Sequence, residues 1–95
     1  MGRTKKPRTC GCPFDELKCC IFKPRGIPMH SLQRTVISLD EIEALRLCDG
    51  ESLTQEEAGT RMGISRGTVQ RLLESGRRKT ISALVDATAI IIEKP

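Results

Sequence analysis

Apolar residues recur at helical spacing in three separate stretches from Leu39 onward. Leu39, Ile42 and Leu45 form the first set. Ser38-Leu39-Asp40-Glu41 ahead of them fits a capping box, in which Ser38 accepts from a free backbone N–H and Glu41 reaches back. This pattern predicts a helix over 38–49, ended by Gly50, which takes the left-handed turn at little cost. A second capping box, Thr54-Gln55-Glu56-Glu57, opens a helix over 54–62 with Ala58 and Met62 as its apolar positions. Gly63 stops it, and Ser65 caps a third helix over 65–85. On that helix Val69, Leu72, Leu73, Gly76, Thr80 and Ala83 fall on one side, and Gly67, Gln70, Arg71, Glu74 and Arg78 on the other.

The first third of the chain has no such period. Residues 10–28 hold four cysteines with Pro13, Pro24 and Pro28, which makes them turn-rich and non-helical. Cys20–Lys23 is expected to be a short strand, and residues 29–36 a short helical turn. Ala89–Ile92 is a β-branched run whose natural partner is Cys20–Lys23, a two-stranded sheet. The expected fold is therefore mainly α: a three-helix domain over 38–95 ending in a strand. A Cys/Pro-rich segment, 10–37, packs on it, and a basic disordered arm, 1–9, precedes both.

The second and third helices meet the steric demands of a helix-turn-helix. Two helices crossing steeply through a tight turn need a small residue at the crossing, which Ala58 and Gly59 supply. They need an apolar residue before the turn (Met62), a residue tolerant of positive φ in it (Gly63), and an apolar plug after it (Ile64). Val69 and Leu72 then face inward. An ordinary packing hairpin would satisfy the same demands, but it leaves unexplained why the outer face of the third helix is basic.

Charge sharpens this picture. The net charge is +4, and it is unevenly spread. Residues 38–60 carry Asp40, Glu41, Glu43, Asp49, Glu51, Glu56 and Glu57 against Arg46 alone, whereas 61–80 carry Arg61, Arg66, Arg71, Arg77, Arg78 and Lys79 against Glu74. Such concentration suits a specific polyanion-binding face better than a generally sticky surface. In a DNA-binding helix-turn-helix the start of the second helix meets base edges in the major groove. Here Arg66, Thr68, Gln70 and Arg71 stand there. Arginine pairs with guanine and glutamine with adenine. Ser65 and Thr68, with the free N–H groups at the helix start, suit phosphates. Arg77, Arg78 and Lys79 lie farther along and are expected on the phosphate backbone. The arm residues Arg3, Lys5, Lys6 and Arg8 suit a minor groove, or a solubilising tail.

At this point the chain resembles known families. Thr54–Lys79, "TQEEAGTRMGISRGTVQRLLESGRRK", is similar to region 4 of bacterial sigma factors, which reads promoter DNA. The whole chain is similar to a family of short, largely uncharacterised predicted DNA-binding proteins of archaea and bacteria. The strings that carry this are "GRTKKPR" (Gly2–Arg8), "FKPRGIP" (Phe22–Pro28), "LDEIEALRL" (Leu39–Leu47), "QEEAGTRMGISRGT" (Gln55–Thr68) and "AIIIE" (Ala89–Glu93). The chain departs from that pattern in Gly59-Thr60 and in a denser cysteine cluster. The resemblance implies DNA binding.

Cysteine usage leaves alternatives open. No apolar run is long enough for a membrane span or a secretory signal, so a reducing cytoplasm is expected, and there cysteines are thiols, metal ligands or redox sensors. Cys10, Cys12, Cys19 and Cys20 offer soft ligands for zinc or an iron–sulfur cluster, with His30 as a substitute for Cys20. The spacing is not the usual Cys-x2-Cys pair, and free or oxidisable thiols remain the other reading. Cys48 is expected in the core. Catalysis is not expected, because there is one histidine and no phosphate loop or nucleophilic triad. Transcription regulation on double-stranded DNA is the leading expectation. A metal- or redox-responsive regulator and an RNA polymerase-docking module are the alternatives. A homodimer suits the first, since one such motif reads only a few base pairs.

Overall fold

The computed structural model describes residues 21–93. Its elements are β1 (Ile21–Phe22), a 3-10 turn (Met29–Ser31), β2 (Arg34–Ser38), α1 (Leu39–Leu45) with a π turn (Arg46–Gly50), α2 (Gln55–Met62), α3 (Arg66–Asp86) and β3 (Ala89–Glu93). The chain is mainly helical, with a small sheet against the end of α3. No described helix is long and apolar enough to cross a membrane.

All three helices start where side chains satisfy their first N–H groups. The Ser38 hydroxyl accepts from the Glu41 N–H at 3.2 Å, and the Ser38 N–H donates to the Glu41 carboxylate at 2.9 Å. Thr54 and Glu57 repeat the reciprocal pair at 3.1 and 2.9 Å. The Ser65 hydroxyl accepts from the Thr68 N–H at 3.2 Å. Each cap meets two of the otherwise orphaned donors, or one, without tertiary help.

The helices end less predictably. Past Leu45 the α1 coil widens, and the Glu51 N–H reaches back five residues to the Arg46 carbonyl at 2.9 Å. Gly50 is not left-handed, contrary to expectation; Ser52 takes the positive φ, at 64°. The π turn has already closed the helix, so the reversal falls two residues later. At the end of α2 Gly63 does adopt the left-handed conformation, φ 72°.

The core is aliphatic: Ala44, Leu47, Ala58, Val69 and Leu73 are buried together, with Leu45, Cys48, Leu53, Met62, Ile64 and Leu72 packed around them. Cys48 is half-buried, and burial pushes its thiol above the ordinary range. Ile37, Ala83 and Ile92 are buried where α3 meets the sheet.

The sheet corrects the two-stranded expectation. It has three strands in the order β1-β3-β2. β3 pairs antiparallel with β1, Ile21 opposite Ile91, as expected. It also pairs parallel with β2, from Arg34 opposite Ala89 to Ser38 opposite Glu93. Only Met29–Ser31 of the expected 29–36 turn is helical, and Arg34–Ser38 is extended. The helical domain is thus the long crossover that a parallel pair requires.

Candidate nucleic-acid interface

α2 and α3 are joined by Gly63, Ile64 and Ser65, and one close approach sets the angle between them. A Cβ on Gly59 would lie 2.7 Å from the Ile64 carbonyl oxygen, closer than side chains tolerate. The Ile64 N–H in turn donates to the Gly59 carbonyl at 2.9 Å. The α2 backbone therefore rests directly on the turn. Gly59, a small residue at the expected crossing and a departure from the family pattern, is the contact that seats α3.

That seating buries Val69 and Leu73 and turns the opposite side of α3 outward. Arg66, Gln70 and Arg71 are exposed on its first two turns, and Gly67 and Thr68 are half-buried. Arg66 reaches across to α2 and donates to the Gln55 side-chain carbonyl at 3.2 Å. Arg71 donates to the Thr68 hydroxyl at 3.3 Å, which also shares a proton with Ser65 at 2.9 Å. Gln70 donates to Glu74 at 3.4 Å. The two arginines are held through neutral acceptors, Gln55 and Thr68. Among the described residues neither Arg66 nor Arg71 forms an ion pair.

Farther along α3 the basic residues divide. Arg77 grips Asp49 on the π turn with two bonds, 2.7 and 3.0 Å. The hydrogen bond from Arg77 holds the Asp49 carboxyl below the ordinary range, against a smaller effect of burial. Lys79 donates to Glu41 at 3.0 Å. Glu41 is only 5% exposed. Burial raises its carboxyl, but donors from Ser75, the Ser38 backbone and Lys79 outweigh that and leave it below the ordinary range. Arg78 is exposed and makes no ion pair among the described residues. The three cations expected on phosphates therefore differ: two tie α3 to the acidic first helix, and one is uncommitted.

Sequence reasoning missed the tethers Gln55, Asp49 and Glu41. Glu41 was legible only as a cap residue, although its second carboxylate oxygen accepts from Ser75 on α3. Arg3, Lys5, Lys6, Arg8, Cys10, Cys12, Cys19 and Cys20 lie outside the described residues. His30 is exposed on the 3-10 turn. Among the described residues no three His, Cys, Asp or Glu side chains are grouped to hold a metal.

Residues 1–94 match the family described as protein of unknown function DUF134. The chain belongs to this family. A UPF0251 protein of Prosthecochloris aestuarii is 42% identical over 92 residues, covering 97% of this chain and 59% of that protein. One of Vibrio vulnificus is 44% identical over 92 residues, covering 97% and 89%. One of Desulforudis audaxviator is 49% identical over 76 residues, covering 80% and 50%. The chain thus spans between half and three fifths of the length of the first and third of these relatives. No solved structure matches it.

Proposed function

We propose that α2 and α3 form a helix-turn-helix of the sigma region 4 type, and that the chain binds double-stranded DNA sequence-specifically to regulate transcription. The observation that carries this reading is the start of α3. Arg66, Gln70 and Arg71 are exposed there on a capped helix, and no carboxylate neutralises either arginine among the described residues. Guanidinium and amide groups on a helix start are what a major groove edge accepts. Ser65, Thr68 and the first N–H groups of α3 then meet phosphates, and the positive end of the helix dipole favours them.

The division among the later cations refines the footprint. Arg78 is the phosphate contact of that stretch. Arg77 and Lys79 keep their bonds to Asp49 and Glu41 and contribute through long-range field more than through contact. The basic arm, Arg3 to Arg8, extends the footprint into the adjacent minor groove. The acidic residues of α1 and α2 repel DNA from the other surfaces and so orient the encounter.

The test is selection of bound duplexes from a random pool by the purified chain, followed by titration of selected and scrambled duplexes at several salt concentrations. Binding that prefers the selected site and weakens steeply with salt is expected. Absence of binding even at low salt refutes the reading, and docking on RNA polymerase then takes its place.

A further inference from the structure

Among the described residues the sheet has one guarded edge, β1, and one open edge, β2. β1 is two residues long among the described residues and runs on into Pro24, which cannot donate to a ladder. β2 is five residues, Arg-Thr-Val-Ile-Ser, with no proline, glycine or bulge. β3 is central, so it cannot be the strand through which chains pair. The Gln33 carbonyl accepts from the Ala89 N–H at 2.8 Å, which sets the alternation along β2. Gln33, Thr35 and Ile37 turn their backbone groups to β3, and Arg34 and Val36 turn theirs outward. A row of outward N–H and C=O groups on an edge strand is a template for another strand.

We propose that β2 pairs antiparallel with β2 of a second copy of this chain, forming a two-fold dimer with a continuous six-stranded sheet. Val36 falls on the two-fold axis, where each copy's N–H donates to the other's carbonyl, and Arg34 falls opposite the partner's Ser38. The Ser38 N–H is already taken by the Glu41 carboxylate at 2.9 Å, so the pairing stops there. Val36, 45% exposed, meets itself across the axis.

Charge selects a second copy over an unrelated strand. Arg34 and Glu93 lie on the outer face of the sheet at opposite ends, Arg34 opposite Ala89 and Glu93 opposite Ser38. About four residues of strand, roughly 13 Å, separate them within one chain. Neither forms an ion pair among the described residues. Antiparallel pairing carries Arg34 to the partner's Ser38, and Glu93 of the partner stands on the next strand of the same face. Both ends of the interface then gain the same complementary pair, as an isologous contact requires.

Orientation points the same way, in an argument that rests on the DNA reading. α3 packs on one face of the sheet through Ala83, and its exposed Gln70 and Arg71 turn away from the packed side. Joining two sheets edge to edge about an axis normal to them leaves both α3 helices on one face. Both helix starts then look to the same side, where two half-sites of one duplex lie. Face-to-face packing of the sheets would point them apart.

The test is sedimentation of the full chain without DNA, across roughly 1–100 μM, where interfaces of modest affinity assemble. A dimer is expected for the wild type. Val36→Pro removes only an outward N–H, which an edge strand tolerates, and Val36→Lys sets two like charges opposite each other. Each is expected to raise the dimer dissociation constant at least about tenfold with unchanged circular dichroism. Arg34→Glu is expected to weaken the dimer, and Arg34→Glu with Glu93→Arg to restore it. A wild type that stays monomeric over the whole range overturns the proposal, as does a dimer that survives both Val36 variants. If Val36→Pro does not fold, Val36→Lys decides, because it alters only a solvent-facing side chain. No DNA is present, so failure of the DNA reading leaves this result standing, and the reverse holds equally.

Discussion

Replacing Gly59 with alanine sets two effects against each other, and the structure decides which wins. In an exposed helix interior the change would stabilise by about 0.8–1 kcal/mol, because glycine has more backbone freedom to lose. Gly59 is buried, however, and its added Cβ would stand 2.7 Å from the Ile64 carbonyl oxygen. That oxygen belongs to backbone in a tight turn and cannot swing aside as a side chain would. Relief by moving the turn stretches the 2.9 Å bond from the Ile64 N–H to the Gly59 carbonyl, worth about 0.5–1.5 kcal/mol. Overpacking of this kind costs about 1–3 kcal/mol. The net expectation for Gly59→Ala is a loss of about 1–3 kcal/mol, measured by urea unfolding. Gly67→Ala is the internal control, because its Cβ would meet nothing nearer than Arg71 at 3.9 Å. It should be neutral or slightly stabilising. DNA titration on the same two proteins adds a second readout, since Gly59→Ala shifts the start of α3. A Gly59→Ala protein more stable than wild type would refute the reasoning, because propensity alone would then be acting.

The remaining expectations divide by site. Alanine at Arg66, Gln70 or Arg71 should cost about 1–3 kcal/mol on the selected duplex and flatten discrimination against scrambled ones. Arg78→Ala should weaken all duplexes alike and reduce the salt slope by about one, while Arg77→Ala changes it less; equal slopes for the two would show that the Asp49 pair opens on binding. Glu41→Gln should lower stability by about 1–3 kcal/mol at neutral pH, because Lys79 and Ser75 lose a charged acceptor. Since the folded carboxyl sits below its ordinary value of 4.5, that contribution is complete above this pH and disappears as the pH falls through the lower folded value. Denaturation of wild type and Glu41→Gln should therefore converge in acid, and a gap that widens there would contradict the assignment. Protein purified without oxygen or chelator should carry zinc or iron on Cys10, Cys12 and Cys19 with Cys20 or His30; elemental analysis finding only traces would leave plain thiols.

What the sequence determined by itself is local. The three helix starts were legible because each cap closes within three residues: Ser38 with Glu41, Thr54 with Glu57, Ser65 with Thr68. Gly63 was legible because positive φ is a property of one residue. The outer face of α3 followed from its period, so Arg66, Gln70 and Arg71 were identifiable as exposed before any contact was known. The tertiary structure decided everything that depends on distant partners. Arg34–Ser38 is short and β-branched, and it becomes a strand only because Ala89–Glu93 arrives beside it after the whole helical domain. Gly50 was a sound local stop, but the π turn, held by the Glu51 N–H and the packing of Leu47, moved the reversal to Ser52. The pairing of Arg66 with Gln55, Arg77 with Asp49 and Lys79 with Glu41 spans 11, 28 and 38 residues. A short-range pattern carries no trace of such pairs, because what brings them together is the burial of Val69 and Leu73 against α1 and α2. The same burial determines which cations remain uncommitted on the surface.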